Sequence, residues 1–519
     1  MASSRFERAL ASLHEQRDES PKAKEITDAA LQQEATQVAM AVHSLLSDHP
    51  RILRDPVGTG KTAVALTAAR LLLDERVIDY VLLVTPNAVV ADQWFDRAEI
   101  PFGIDRRLNS KKWQRNVLRI VTHHTVPAGP SPDPKRTLVI VDEAHRGLQH
   151  NTDVYKKLLI AAAGAKLLLV SATPFQMSTA GLTSMLRLGT GIDQRDALAL
   201  ASYGKSLTAV LHAYDRDPKS ADVDQAADAA AQLKDAAATA LRSHLLPRTK
   251  MKGQPPPVPE FACVPLGAWA KGYHVARVLP ELVGKGKNDS FQRGLVSSCE
   301  TVWNNPVMGK HLEELRETSD PRIRAFLETL DARLGRGTDH PKVKATTDWV
   351  VSQVQEEGQH VIVFTVWKAT QETLHMALAK RLGDDTVTGP VKGTIPDVFQ
   401  KRVSEPPDGS PVVLVLTDRF SESIDLDGGC PSLVHHDLSW NPVRITQRWG
   451  RVVRVRTGFE PIPPERIYIP VLDTEVDRRV ARTVQGRTNL VSLMVPAAEG
   501  NDAWHLPDSL LKQISTAAE

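Results

Sequence analysis

RILRDPVGTGKTAVALTAARLLLD, residues 51–74, decides the fold class. RIL is a short apolar strand, DPVGTGKT a loop holding two glycines, and AVALTAARLLLD an apolar-striped helix. A strand that passes through a glycine loop into a helix opens a parallel α/β sheet. Gly58 and Gly60 lack the Cβ that would keep backbone N–H groups from closing around phosphate oxygens, and the start of the helix adds partial positive charge. Asp55, Gly58, Thr59, Gly60, Lys61 and Thr62 are therefore the candidate nucleotide contacts. In such a loop the lysine reaches the β- and γ-phosphates and the threonine hydroxyl ligates Mg²⁺. Asp55 stands where the strict form of the loop has its first glycine.

Working outward, VIDYVLLVTP (77–86), RTLVIVDEAH (136–145) and AKLLLVSATP (165–174) are β-rich runs that each end in polar or small residues. HVIVFTVW (360–367), PVVLVLTD (411–418) and ERIYIPVLD (465–473) repeat the design. Near-continuous apolar runs are the mark of buried parallel strands, and the chemistry of such sheets sits at their carboxyl ends. Two α/β units follow. Between them, residues 219–246 are rich in Ala, Leu and charge without proline and predict one helix, which PPPVPE (255–260) stops. The second unit is placed to begin near residue 340.

At 519 residues the chain exceeds what one core organises, and 42% hydrophobic with 24% charged residues is ordinary globular usage. Cys263, Cys299 and Cys430 form no CxxC pair, which supports neither a disulfide framework nor a zinc ribbon. Adjacent histidines at 123–124 and 435–436 lack ligand spacing, and Trp94, Trp113, Trp367 and Trp449 read as core packing. MASSRFERALASLHEQRDES carries charge throughout, so it reads as neither a secretory signal nor a membrane anchor, and a cytoplasmic location is expected. A net charge of +2 is no signature of a polyanion partner, so nucleic-acid binding has to be argued from motifs.

A hydrophobic strand ending in two carboxylates, as in VIVDEAH, calls for a cation or a catalytic water. Asp142 is the natural Mg²⁺ ligand and Glu143 the water-positioning base. QRWGRVVRVRTG (447–458) resembles the QxxGRxxRxGQ pattern of superfamily 2 helicases, which implies roles for Gln447, Arg451 and Arg454, and guanidinium groups stabilise a transferring phosphoryl group.

With these residues in view, the chain resembles helicase superfamily 2. DPVGTGKT is similar to its motif I, LLVTPNAVVADQW (82–94) to Ia, RIVTHHTV (119–126) to Ib, DEAH to II, SATP (171–174) to III, and QRWGRVVRVRTG to VI. Gln37 lies about where the family's adenine-reading glutamine does. Three further segments resemble Snf2-type translocases: HLLPRTK (244–250) with PPPVPE; TDRFSESIDL (417–426) with HHDLSWNP (435–442); and DTEVDRRVARTVQGRTNLVSLM (473–494), similar to the helix that braces both lobes. Pro247, Ser423 and Thr457 or Gly458 depart from the family pattern.

The resemblance implies two RecA-like parallel-sheet domains in tandem, with a helical insertion between them and a C-terminal bracing helix. The expected boundaries are a helical extension over 1–30, domain 1 over 31–190, the insertion over 191–340, domain 2 over 341–473, and the brace and tail over 474–519. It implies ATP and Mg²⁺ as cofactors, with hydrolysis coupled to closing and opening of the two domains. Thr85, Pro86, Thr122, Thr417 and Arg419 are expected to face the nucleic-acid backbone. His145, Ser171, Thr173 and Trp440 are expected to couple that groove to ATP, and Asp425 to join the nucleotide site. The implied activity is translocation on double-stranded DNA. A strand-separating helicase acting on DNA or RNA, and a nucleotide-gated scaffold or motor subunit of a larger restriction or phage-defence complex, remain alternatives.

Overall fold

The computed structural model describes residues 28–46, 52–55, 60–102, 117–147, 152–172, 179–190, 192–216, 220–246, 261–269, 292–304, 306–332, 340–389, 397–404, 410–418, 431–439, 444–445, 447–448 and 464–494. Among the described residues, one compact unit comprises residues 28–246 with 486–494 and the other residues 261–485.

The first unit is built on five parallel strands, β1 (Ile52–Leu53), β2 (Tyr80–Thr85), β3 (Leu118–Thr122), β4 (Thr137–Asp142) and β5 (Lys166–Val170), in the order β1-β5-β4-β2-β3. Because side chains alternate across a strand, each apolar run feeds two cores at once. Leu138 and Ile140 of β4 join Leu53, Val81, Leu83, Leu168 and Val170 on one face, covered by α1 (Asp28–Leu46), α2 (Lys61–Asp74) and α3 (Ala88–Phe102). Val139 and Val141 join Leu82, Val84, Leu167 and Leu169 on the other. That face is covered by α4 (Asp153–Ala162), α5 (Thr179–Thr190), α6 (Gln194–Arg216) and α7 (Ala221–His244). Both faces are buried, which is why the strands read as continuous hydrophobic runs.

The helix predicted over 219–246 is α7, and the structure shows where it packs. Ala237, Ala238, Ala240 and Leu241 are inside the first core, packed with Leu200 and Tyr203 of α6. Leu245 bridges Ile52 in parallel, the Leu246 N–H donates to Ile52 O at 3.0 Å, and buried Arg54 donates from Nε to Leu246 O at 3.0 Å. The first half of the stretch read as an insertion thus completes the first unit.

The second unit holds six parallel strands: β6 (Phe261–Val264), β7 (Val361–Thr365), β8 (Val387–Thr388), β9 (Val413–Thr417), β10 (Ser432–His435) and β11 (Ile467–Leu472), ordered β6-β11-β10-β7-β9-β8. Helices α8 (Pro341–Gln355) and α9 (Lys368–Leu382) bury one face through Val343, Val350, Leu374 and Leu378, against Val361, Val363, Val413 and Val415. On the other face, Ile362, Phe364, Leu414 and Leu416 pack with Val480, Ala481 and Val484 of α10 (Glu475–Met494). Strand β6 was not foreseen: FACV is too short for a periodicity, and only its register with Ile469–Leu472 makes it a strand. It lies in the stretch assigned from sequence to the insertion. The fold is two parallel-sheet α/β units. PPPVPE and residues 247–250 lie outside the described residues.

Candidate functional site

Since all strands of the first sheet are parallel, their carboxyl ends share one edge, and the candidate residues collect there. Gly60 adopts φ 84°, a left-handed backbone that only glycine takes without strain, and caps α2, whose first residue is Lys61. A glycine cap brings no side chain to the helix's first N–H groups, the arrangement that receives an anion. Gly58 and Thr59 lie outside the described residues. Asp55 is buried in the strand exit, and Gln37 of α1 is buried too.

Asp142 ends β4, and both of its carboxylate oxygens are held. Oδ2 accepts from Trp94 Nε1 at 2.7 Å and Oδ1 from the Glu143 N–H at 2.9 Å. Burial and the neighbouring Glu143 charge push its pKa up to about 6, while Trp94, the Glu143 N–H and Lys61 pull the other way. Glu143 itself takes φ 45°, in the left-handed region that non-glycine residues avoid. Its Oε2 is buried without a hydrogen bond, 3.3 Å from His145 Nδ1. That nitrogen is 2.8 Å from Ser171 Oγ, and the Ser171 N–H donates to Leu53 O at 3.0 Å. The DEAH and SATP segments are therefore linked directly at the ends of β4, β5 and β1.

The residues expected to face a nucleic-acid backbone divide. Thr85 is fully buried, and its hydroxyl is shared between Val121 O and Asn87 O, each at 3.2 Å. Pro86 is buried beside it. The Thr85 hydroxyl fixes the end of β2 against β3, so its side chain is engaged within the fold. Thr122 is half-buried and caps the turn His123–Thr125 through its paired contacts with Thr125. Thr417, at the end of β9 opposite Thr365, is half-buried. Arg419, Asp425, Trp440, Arg451, Arg454 and Thr173 lie outside the described residues.

In the second unit the organising residue is one that sequence reasoning passed over. Arg448, fully buried, donates from Nε to Asp418 Oδ1 at 2.7 Å, again to that oxygen from Nη2, and from Nη1 to Asp437 O at 2.8 Å. Its guanidinium lies 5.4 Å from the centre of the Phe364 ring. Arg444 takes the other Asp418 oxygen at 2.9 Å. TDRFSESIDL, HHDLSWNP and QRWGRVVRVRTG are thereby tied together at one sheet edge. Gln447, beside Arg448, is buried with its Oε1 lacking a hydrogen bond.

His436 Nδ1 lies 2.8 Å from Thr346 Oγ1 and its Nε2 3.1 Å from Ser297 O, so both ring nitrogens are engaged. Asp437 Oδ2 accepts from Ser297 Oγ at 2.8 Å, from the Val366 N–H at 3.1 Å and from Thr365 Oγ1. Burial opposes its ionisation, but His436, Lys342 and those hydroxyls hold it down to about 2. Among the described residues no cluster of His, Cys, Asp and Glu could hold a metal by protein groups alone.

The family described as "Type III restriction enzyme, res subunit" matches residues 25–176, and "Helicase conserved C-terminal domain" matches residues 341–456. The chain is an ATPase of the superfamily 2 helicase type. The uncharacterized ATP-dependent helicase YqhH of Bacillus subtilis is 25% identical over 419 residues, covering 78% of this chain and 69% of that protein. The helicase domain of Pyrococcus furiosus Hef superposes with a TM-score of 0.45 at 16% identity, over 85% of this chain and 96% of that one. As an enzyme of this type it uses ATP and engages nucleic acid. No helix among the described residues is long and apolar enough to cross a membrane.

Missing from the motif reading were Trp94, His123 and Arg448. Trp94 lies within LLVTPNAVVADQW, Arg448 directly follows Gln447, and His123 lies within RIVTHHTV. Position beside a motif was the available signal, but no pattern distinguishes a buried tryptophan or arginine that bonds a carboxylate from one that merely packs.

Proposed function

We propose that this enzyme is a double-stranded DNA translocase of the Snf2 type. The observation that carries the motor chemistry is the half-buried Asp142–Glu143 pair at the end of β4, with Lys61 near enough to favour the ionised form of Asp142. Snf2-type character rests on HLLPRTK with PPPVPE, on HHDLSWNP, and on the long helix α10 after the last strand.

A carboxyl pushed up to about 6 by desolvation and a second carboxylate fits a position completed by a cation. Thr62 and Asp142 are assigned to Mg²⁺, which would neutralise charge developing on the phosphates. Lys61 and the Gly60-capped helix start bind the phosphates. Glu143 orients water and accepts its proton. Gln447, Arg451 and Arg454 act on the transferring phosphoryl group. Contacts to nucleic acid are assigned to backbone phosphates, which give affinity without reading sequence, as a tracking motor needs.

A second reading is favoured by the match of residues 25–176 to a restriction-enzyme res subunit: the chain is the motor subunit of a larger restriction-type assembly.

Steady-state ATPase activity measured with no nucleic acid, duplex DNA, single-stranded DNA and RNA tests the proposal, with Glu143→Gln as the blank. Stimulation by duplex DNA together with displacement of a triplex-forming strand supports the translocase. Stimulation confined to single strands with unwinding of forked duplexes replaces it by a helicase. Absence of stimulation overturns the free-standing translocase and leaves the subunit reading.

A further inference from the structure

His123 is the first residue of the turn His123–Thr125 that follows β3; its ring is buried, while His124 and Thr125 are exposed. Its Nε2 lies 3.0 Å from the backbone oxygen of Asp142. A carbonyl oxygen only accepts, so Nε2 carries the proton. The same residue is gripped from a second direction, because Trp94 of α3 donates to its carboxylate at 2.7 Å. The segments after β2 and after β3 thus each place one buried donor on Asp142.

The geometry of one peptide unit gives this arrangement its consequence. The Asp142 carbonyl and the Glu143 N–H belong to one planar group and turn together. Its oxygen is held by His123, its N–H by Asp142 Oδ1 at 2.9 Å, and that carboxylate by Trp94. Directly beyond this plane is the left-handed backbone of Glu143, φ 45°. A conformation of that kind persists only where surrounding bonds over-determine it. Releasing the carbonyl lets the plane rotate and re-aims the Glu143 side chain.

We propose that His123 is a positioning residue that sets the orientation of Glu143 and transmits to it the state of the exposed turn His124–Thr125. This rests on the assignment of Glu143 as the water-orienting base and of this turn as part of the nucleic-acid face. Trp94 completes the clamp by fixing Asp142. A nucleic-acid strand that immobilises the turn stiffens the peptide plane and raises turnover without touching ATP.

The test compares His123→Phe, which keeps a ring and loses the donor, with His123→Gln, whose amide N–H can occupy the place of Nε2. Both are assayed for ATPase with saturating duplex DNA, for ATP affinity with a fluorescent analogue, and for DNA affinity by anisotropy. The Phe variant is expected to lose kcat by about 10- to 100-fold, the loss that follows a misplacement of about 1 Å at a catalytic group. KM for ATP and Kd for DNA should stay within about threefold, and the Gln variant should regain most of the lost kcat. Unchanged kcat in the Phe variant, or a Gln variant as impaired as Phe, overturns the inference. Should His123→Phe fail to fold, Trp94→Phe provides the second probe: it removes the other donor, and an unchanged kcat there overturns the clamp. A wild-type ATPase indifferent to every nucleic acid refutes the transmitted signal and the nucleic-acid assignment together. A stimulated wild type with an equally active Phe variant refutes only the role of His123.

Discussion

Replacing Arg448 by methionine isolates a buried electrostatic contact of the second unit. Methionine keeps most of the volume and the contact with Phe364 but removes every donor. Asp418, only 8% exposed, then loses Nε and Nη2 and keeps Arg444, whose side chain is 39% exposed and partly screened by solvent. Removing one partner of a buried ion pair costs about 3–5 kcal/mol, because the other charge is left in a poorly solvating environment. With Arg444 still in place the lower end applies, about 3 kcal/mol, or roughly a hundredfold in the equilibrium for local opening. Hydrogen exchange read by mass spectrometry on the full chain should show it as about a hundredfold loss of protection in β9 and β10, with β4 of the first unit unchanged. Adding Asp418→Asn removes the stranded charge and should recover a large part of the loss. Unchanged protection in β9, an equal loss in β4, or a double variant no better than the single would each refute the assignment of Arg448 as a structural hub.

Other consequences are measurable on the same protein. Glu143→Gln should retain ATP binding and reduce turnover by at least about a hundredfold, whereas Lys61→Ala should abolish nucleotide binding, both read by fluorescent-analogue titration beside ATPase assays. Arg451→Ala should lower kcat by about a thousandfold with little change in ATP affinity, and a preserved kcat would remove it from the catalytic set. Burial holds His340 at about 3 and His436 at about 4, below the value near 6.5 of the unfolded chain. Because the folded values are depressed, the stability from keeping both rings neutral is present above pH 6.5 and is lost as pH falls toward 4 and then 3. The slope approaches about 1.4 kcal/mol per pH unit for each ring, so the melting temperature should drop between pH 6.5 and 4.5, and less steeply in His340→Gln. Cys263 is exposed and Cys299 buried, so a thiol reagent should label the first well before the second in the native protein, as peptide mass mapping would show.

The sequence by itself determined the class of fold and pointed to a chemistry. Loop residues through Thr62 point to a phosphate site by their own backbone requirements, and Asp142 and Glu143 stand out because two carboxylates at the end of an apolar strand demand a reason. Strand runs such as TLVIVD and VIVFT declare a parallel sheet covered on both faces. These are local properties, set by residues within one or two turns of chain, and the residues legible in this way are Gly60, Lys61, Asp142 and Glu143, whereas His145 and Ser171 came only from the resemblance.

Tertiary structure decided which neighbours those residues have. Nothing in LLVTPNAVVADQW says that Trp94 bonds Asp142, since the two are distant in sequence and meet only because α3 packs over β2 and β3, next to the strand that ends in Asp142. Thr85 carries a motif-like position, yet its burial turns the hydroxyl inward to Val121. Strand β6 and helix α7 were assigned to an insertion because neither their unit nor their partners can be read from four residues of strand or one amphipathic face. Arg448 looks in sequence like any surface arginine. Its role appears only when Asp418 and the Asp437 carbonyl, placed by separate parallel strands, converge on its guanidinium, since the pairing of a buried charge depends on long-range register rather than on local pattern.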